Sequence, residues 1–309
     1  MTDLERYILD EWTDDCRSGR LPRREFLRRV AVFSGGAAAG LVLLTSRGFP
    51  ASAGEIAQAA AAPAPLRAQG SGVTVPPNDP AFEANMVSFP GGGTTVQAYL
   101  AVPRNKPKGP GVIVIHENRG LLEHFKDVCR RLAKAGYAAL AVDLVSPQGG
   151  TEKFTDSAQV STYLARTPPG QHVELLNAGV RYLQGISAVR SDRVGVVGFC
   201  FGGGMTWRLA TQNTDLRAAI PFYGPNPPLE DVAKIRSAVL ALYGSLDTFV
   251  NPGISAMRTA LDNAKVTYEM HIYEGARHAF FNDTGGSYNE TAAKDAWSRT
   301  LAWFGRWLS

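Results

Sequence analysis

Gly195-Val196-Val197-Gly198-Phe199-Cys200-Phe201-Gly202-Gly203-Gly204 is an apolar strand that runs straight into a glycine-bracketed cysteine and then into a helix. A nucleophile on such a strand-to-helix turn needs a strained backbone angle, and only small neighbours two positions before and after it escape collision. Glycine stands at both positions, as Gly198 and Gly202. The turn also sets Cys200 at a helix N-terminus, where unpaired N–H groups and the helix dipole favour a thiolate and a developing oxyanion. A buried structural cysteine beside a glycine-rich turn would look the same over these ten residues, so the reading depends on what lies downstream.

An acyl-transfer triad on this kind of fold runs in the order nucleophile, acid, histidine. Ala238-Val239-Leu240-Ala241-Leu242-Tyr243 reads as a buried strand, and the loop Gly244-Ser245-Leu246-Asp247 carries a carboxylate away from it. Val266–Tyr273 alternates in strand fashion, and Glu274-Gly275-Ala276-Arg277-His278-Ala279-Phe280 leaves it as a turn. Asp247 and His278 are thereby placed on the same carboxyl edge of a sheet as Cys200. A solvated turn would account for either residue singly, but not for three chemical groups in the required order, each just past a strand.

Upstream, Gly111-Val112-Ile113-Val114-Ile115 is an apolar strand that ends in His116-Glu117-Asn118-Arg119-Gly120, the place from which such folds supply a second oxyanion-holding N–H. The combination of this loop with the cysteine elbow, Asp247 and Gly275-Ala276-Arg277-His278-Ala279-Phe280 resembles the dienelactone hydrolase (carboxymethylenebutenolidase) family of α/β-hydrolases, over about residues 85–309. The resemblance implies Cys200 as nucleophile, Asp247 as acid and His278 as base, with Glu117 meeting the thiol and helping to switch it on. The N–H groups of Phe201 and Asn118 would hold the oxyanion. Electrostatics agree: a carboxylate near Cys200 raises the thiol pKa, protonated His278 lowers it, and moving Glu117 away releases the thiolate. Glu117 also has a structural reading, as a partner of Arg119 or a helix cap. His116 is read as a loop-holding residue through backbone hydrogen bonds.

Relatives that act on the dienelactone are expected to carry an arginine shortly after the catalytic histidine to grip the substrate carboxylate. Neutral Asn282 stands about there, and an amide does not replace a bidentate guanidinium. Neutral substrates are therefore expected to serve at least as well as the anion. Arg119, Tyr223 and Asn282 are the candidate substrate contacts. Arg119 and Arg277 could each take an anion, or pair with Glu117 and Glu274.

The remaining sequence bounds the class. With 45% apolar and 19% charged residues the chain is globular, and a net charge of +4 without a basic run gives no nucleic-acid signal. Cys16, Cys129 and Cys200 form no disulfide framework or metal-ligand cluster in the sequence, and Cys129 falls in a helix-like stretch as a core residue. Gly202-Gly203-Gly204 lacks the lysine and hydroxyl residue of a phosphate loop.

Residues 1–53 read as a leader. Pro22-Arg23-Arg24-Glu25-Phe26-Leu27-Arg28 resembles a twin-arginine export motif, an uncharged apolar stretch from Ala31 to Leu44 follows, and Ala51-Ser52-Ala53 offers a cleavage site, with a second candidate near Ala59–Ala62. Export machinery is then a partner and the periplasm the destination. The alternative is a basic amphipathic helix that stays attached and packs on the surface, leaving the protein cytoplasmic or membrane-associated. Residues 54–84 read as an Ala/Pro/Gly-rich linker.

From Asn85 an antiparallel hairpin turns at Pro90-Gly91-Gly92-Gly93, and strands at 111–115, 138–142, 193–198, 218–222, 239–243 and 267–273 alternate with helical segments. This specifies a mainly parallel α/β sheet with helices on both faces. The insertion from Ser146 to Gln171 is placed to cover the site, and Trp297, Leu301, Trp303, Phe304 and Trp307 of the last helix are read as core packing. The expected function is a cofactor-independent thiol hydrolase of small esters or lactones. The alternative is a non-catalytic ligand-binding or thiol redox-sensing protein on the same fold.

Overall fold

Eight strands form a single sheet in a computed structural model that describes residues 1–61, 74–104 and 107–309. The strands are β1 (Phe82–Gly91), β2 (Thr94–Pro103), β3 (Gly109–Ile115), β4 (Ala138–Val142), β5 (Val189–Phe199), β6 (Leu216–Phe222), β7 (Ala238–Gly244) and β8 (Tyr268–Tyr273). Their order across the sheet is β1-β2-β4-β3-β5-β6-β7-β8. The β1–β2 hairpin and the β2–β4 pair are antiparallel, and every pair from β4 to β8 is parallel. All of β4 and β7 is buried, as are Gly111–Ile115 of β3 and Val194–Phe199 of β5. Parallel strands buried throughout require cover on both faces. That cover comes from α5 (Glu123–Ala135), α7 (Pro169–Gln184), α8 (Phe201–Gln212), α9 (Ile254–Asn263) and α10 (Glu290–Trp307), α6 (Ser157–Arg166) lying in the inserted excursion. In α10, Phe304 is fully buried and the Trp303 indole N–H donates to the Ala238 carbonyl at 3.3 Å, the packing role read from the sequence.

The parallel register is what assembles a site. Ile115 lies opposite Gly198, Phe199 opposite Phe222, Phe222 opposite Leu242 and Gly244 opposite Tyr273. The loops that follow β3, β5, β6, β7 and β8 therefore leave the sheet side by side at its carboxyl edge, where α/β folds place their chemistry.

The first sixty residues fold into helices α1 (Asp3–Arg17), α2 (Arg23–Ser34), α3 (Ala37–Thr45) and α4 (Ala53–Ala60), packed on the sheet domain. Helix α1 opens with a capping box, in which Thr2 Oγ1 accepts from Glu5 N–H at 3.1 Å and Glu5 Oε2 accepts from Thr2 N–H at 2.7 Å. Leu4, Tyr7, Ile8 and Trp12 recur at helical spacing and are all buried. Full burial of such side chains is worth about 1.5–3 kcal/mol each, so α1 is firmly docked. Helix α2 is anchored by Arg28, 3% exposed, which pairs with Asp156 at the start of α6 and with Glu25 on its own helix. No single helix among the described residues is long and apolar enough to cross a membrane; α2 and α3 reach that length only together, and they bend by 108° at Gly35-Gly36. Of the stretch read as a linker, residues 54–60 are helical, β1 already begins at Phe82, and 62–73, with the end of the second cleavage candidate, lie outside the described residues.

Candidate active site

Cys200 ends β5 with φ 59° and ψ −120°, a left-handed conformation that a side-chain-bearing residue holds only when its surroundings enforce it. A Cβ on Gly198 would strike the Gly202 carbonyl, and one on Gly202 would strike the carbonyls of Ile115 and His116. The two glycines are thus required by close backbone approach on either side of the cysteine. Helix α8 begins at Phe201, directly after the cysteine.

His278 and Asp247 sit beside it. His278 Nδ1 and Asp247 Oδ2 are 2.6 Å apart, and the two residues are 5% and 1% exposed. Their loops are laced together: Ser245 N–H donates to the Tyr273 carbonyl, Leu246 N–H to the Ala276 carbonyl, and Gly275 N–H to Ser245 Oγ, each at 2.9 Å. Asp247 Oδ1 also accepts from Val250 N–H at 3.1 Å, which fixes the carboxylate against the imidazole. Burial pulls the His278 pKa down, but the Asp247 carboxylate, with smaller help from Glu11 and Glu117, more than offsets it and pushes it up to about 9. His278 is therefore an imidazolium at neutral pH.

The loop after β3 closes the other side. His116 Nε2 accepts from Leu144 N–H at 3.1 Å, so the ring carries its proton on Nδ1 and donates it to the Glu117 carbonyl at 2.7 Å. His116 holds the loop, through backbone groups. Glu117 is buried, but its oxygens are taken by the Tyr223 hydroxyl at 3.3 Å and Asn282 Nδ2 at 2.8 Å rather than by the thiol. Tyr223 and Asn282 thus have a different task from the substrate contacts expected of them: a buried carboxylate needs donors, and these two residues supply them. Asn282 Oδ1 is occupied as well, by Thr284 N–H and Oγ1. The Arg119 guanidinium does not pair with Glu117, and its Nε is buried without a partner. Burial and then the like charge of Arg29 lower the Arg119 pKa.

Two residues that the sequence reading did not single out complete the arrangement, and both lie on α1. The Tyr7 hydroxyl is 3.2 Å from Cys200 Sγ and 3.1 Å from His278 Nε2, so a phenol bridges the sulfur and the imidazole. Glu11 Oε2, one helical turn on, lies 3.5 Å from Cys200 Sγ and accepts from Asn118 Nδ2 at 2.7 Å. With His278 charged, the donors order themselves: Nε2–H to the phenol oxygen, phenol O–H to sulfur, thiol S–H to Glu11. Burial is the main cause that pushes the Cys200 thiol well above its ordinary range, and Glu11 and Glu117 add to it against the opposing pull of Tyr7 and the Phe201 N–H. Burial likewise raises Glu11 to about 7 against the pull of His278, with Asp15 and Glu117 adding to the rise. The excursion from Ser146 to Gln171, expected over the site, instead supports this cover: α6 packs against α1 and α2, and Ser161 Oγ donates to the Asn118 carbonyl at 2.8 Å. The signal in the sequence was the capping box Thr2-x-x-Glu5 followed by an apolar stripe at helical spacing, which marks a helix with one face to bury.

A strand order of this kind, with the strained Cys200 turn after β5, Asp247 after β7 and His278 after β8, is that of an α/β-hydrolase-like fold. The sequence profile of the Dienelactone hydrolase family matches residues 96–308, and the chain belongs to that family, whose members are hydrolases of lactones and esters. A Methylorubrum extorquens protein named "Putative carboxymethylenebutenolidase" is 35% identical over 233 residues, 72% of this chain and 80% of its own length. The crystal structure of a "Putative Dienelactone Hydrolase" from Klebsiella pneumoniae is similar with a TM-score of 0.69 at 34% identity, covering 73% of this chain and 99% of its own. A dienelactone hydrolase-like promiscuous phosphotriesterase from metagenomic libraries follows at 0.67 and 28%, covering 74% of this chain and all of its own.

Proposed function

We propose that the protein hydrolyses small esters or lactones through Cys200 as nucleophile, His278 as base and Asp247 as the acid that orients it. The observation that carries this reading is the 2.6 Å contact between His278 Nδ1 and Asp247 Oδ2, made at the edge where Cys200 occupies a strained turn. The Cys200 thiol releases its proton to water as substrate enters, the thiolate, paired with the His278 imidazolium, attacks the carbonyl carbon, and the oxyanion is held at the N–H groups of Phe201 and Asn118. Collapse breaks the C–O bond, His278 gives its proton to the departing alkoxide, and a thioester remains on Cys200. Water then attacks the thioester while His278 takes its proton, releasing the carboxylic acid and the thiolate. Glu117, held by Tyr223 and Asn282, sets a negative charge near the sulfur and so opposes ionisation until a substrate shifts it.

Neutral esters fit the absence of an arginine at Asn282. Arg119 supplies an anion contact in a second reading, supported by its partnerless Nε. One experiment covers both: neutral and carboxylate-bearing chromogenic esters are compared on the wild type, Cys200→Ala and Arg119→Ala. Cys200→Ala is expected to abolish turnover of all esters; measurable turnover at equal rates in Cys200→Ala and wild type would overturn the nucleophile. A loss in Arg119→Ala confined to the anionic esters assigns Arg119 to the substrate.

A further inference from the structure

The reacting groups are complete, but nothing can reach them. Cys200 is 1% exposed, and the space between its sulfur and His278 Nε2 is filled by the Tyr7 hydroxyl. Donor atoms of Glu11, Cys200 and His278 lie within 4.8 Å of one another, too close for a carbonyl group to enter between them while Glu11 and Tyr7 stay in place. Each contact from α1 also takes a group that catalysis needs. Tyr7 takes the base, Glu11 takes the thiol proton, and Asn118, whose N–H would hold the oxyanion, is tied by its side chain to Glu11.

The docking of α1 is specific to this edge. The Tyr7 ring packs 5.6 Å from the Phe249 ring, centroid to centroid, and 6.1 Å from the His278 ring. Thr2 Oγ1 donates to the Ala165 carbonyl at 3.4 Å, and Thr248 Oγ1 to Asp14 Oδ1 at 3.5 Å, so both ends of the helix are tied to the domain. Tyr7 and Glu11 are four residues apart, which puts both on the face turned to the site.

We propose that α1 is a built-in inhibitor of the enzyme: Tyr7 and Glu11 stand where substrate binds, and displacement or loss of the helix switches the site on. Loss of residues 1–53, the leader read from the sequence, would remove the whole helix with its two blocking side chains. The effect on turnover rests on the triad reading given above, whereas the cover itself is independent of it.

The test alkylates the full chain with iodoacetamide and reads each cysteine by peptide mass spectrometry, with ester hydrolysis measured in parallel. Cys129, fully buried in α5, reports global unfolding. In the wild type both cysteines are expected to be protected. In the double variant Tyr7→Ala, Glu11→Ala, Cys200 alkylation and ester turnover are expected to rise at least about tenfold with Cys129 still protected, as the open form gains population. Arg6→Ala, on the exposed face of the same helix, is expected to match the wild type. Cys200 alkylation that stays at the wild-type rate in the double variant, or rises equally in Arg6→Ala, overturns the proposal. Should the double variant label at Cys129 too, Tyr7→Phe decides, since it keeps the ring and removes the bridge: faster Cys200 labelling supports the inhibitor, and an unchanged rate overturns it. Turnover lost in Tyr7→Phe without faster labelling would instead make the phenol part of the working machinery and also overturn it. Faster labelling with no hydrolysis in any form leaves the cover standing and removes the triad reading.

Discussion

His278 and Glu11 face each other across the site, and both bind protons more tightly in the folded chain than in a free one. A raised pKa favours folding at low pH and loses that advantage as pH climbs through the folded value. For Glu11 the contribution is fully present below 4.5 and is lost as pH rises through about 7. For His278 it is present below 6.5 and is lost through about 9. The thermal midpoint is therefore expected to fall between pH 5 and 9, and Glu11→Gln, which cannot ionise, is expected to flatten the part near 7. Melting curves across that range check it; a midpoint that rises toward pH 9 would contradict the assignment. Asp15, Glu117 and Cys200 face Glu11 as well, so the comparison of Glu11→Gln with wild type, rather than the wild-type slope alone, isolates the residue.

At the scale of elements, the elbow depends on backbone contact that no side chain can soften. Gly202→Ala drives a methyl into the carbonyls of Ile115 and His116. Overpacking of this kind costs about 1–3 kcal/mol, and here it would push the loop after β3 away from Cys200. A lower melting temperature together with loss of turnover is expected, whereas a stable, active Gly202→Ala would refute the packing account. The same element shows why so much was legible in the sequence. Gly198, Cys200 and Gly202 are fixed by local geometry, Asp247 follows a strand whose apolar run announces itself, and His278 follows one marked by alternation. Tyr7 and Glu11 obey no such local rule: they meet Cys200 across 193 and 189 residues of chain, and only docking brings them there. Likewise Asn282 is close in sequence to where an anion contact was expected, yet the demand of buried Glu117 for donors claimed it.

At the scale of the whole molecule, the N-terminal helices pack over the candidate site of the hydrolase domain. We propose that the leader is read by twin-arginine export machinery, because Arg23 and Arg24 stand exposed at the start of α2. Arg23 donates to the Pro50 carbonyl at 2.6 Å and to Glu55 at 3.2 Å, and its guanidinium lies over the Phe49 ring, contacts that the export machinery would have to replace. Replacing both arginines with lysine keeps the charge and is expected to hold the protein in the cytoplasm; normal arrival at the cell envelope on fractionation would reject the reading. A machine that carries folded cargo suits a thiol enzyme, which can complete its sheet and elbow in a reducing compartment before it leaves.

The proposed reaction requires that the Cys200 sulfur become acylated during turnover. The most direct measurement is the intact mass of the full chain and of its Tyr7→Ala, Glu11→Ala form, acid-quenched early in turnover of a slow ester, with the adduct located by peptide mapping. The account predicts one acyl group, on Cys200, lost on longer incubation and absent in Cys200→Ala. Turnover at an undiminished rate in Cys200→Ala, or an acyl group that maps to another residue, would contradict it.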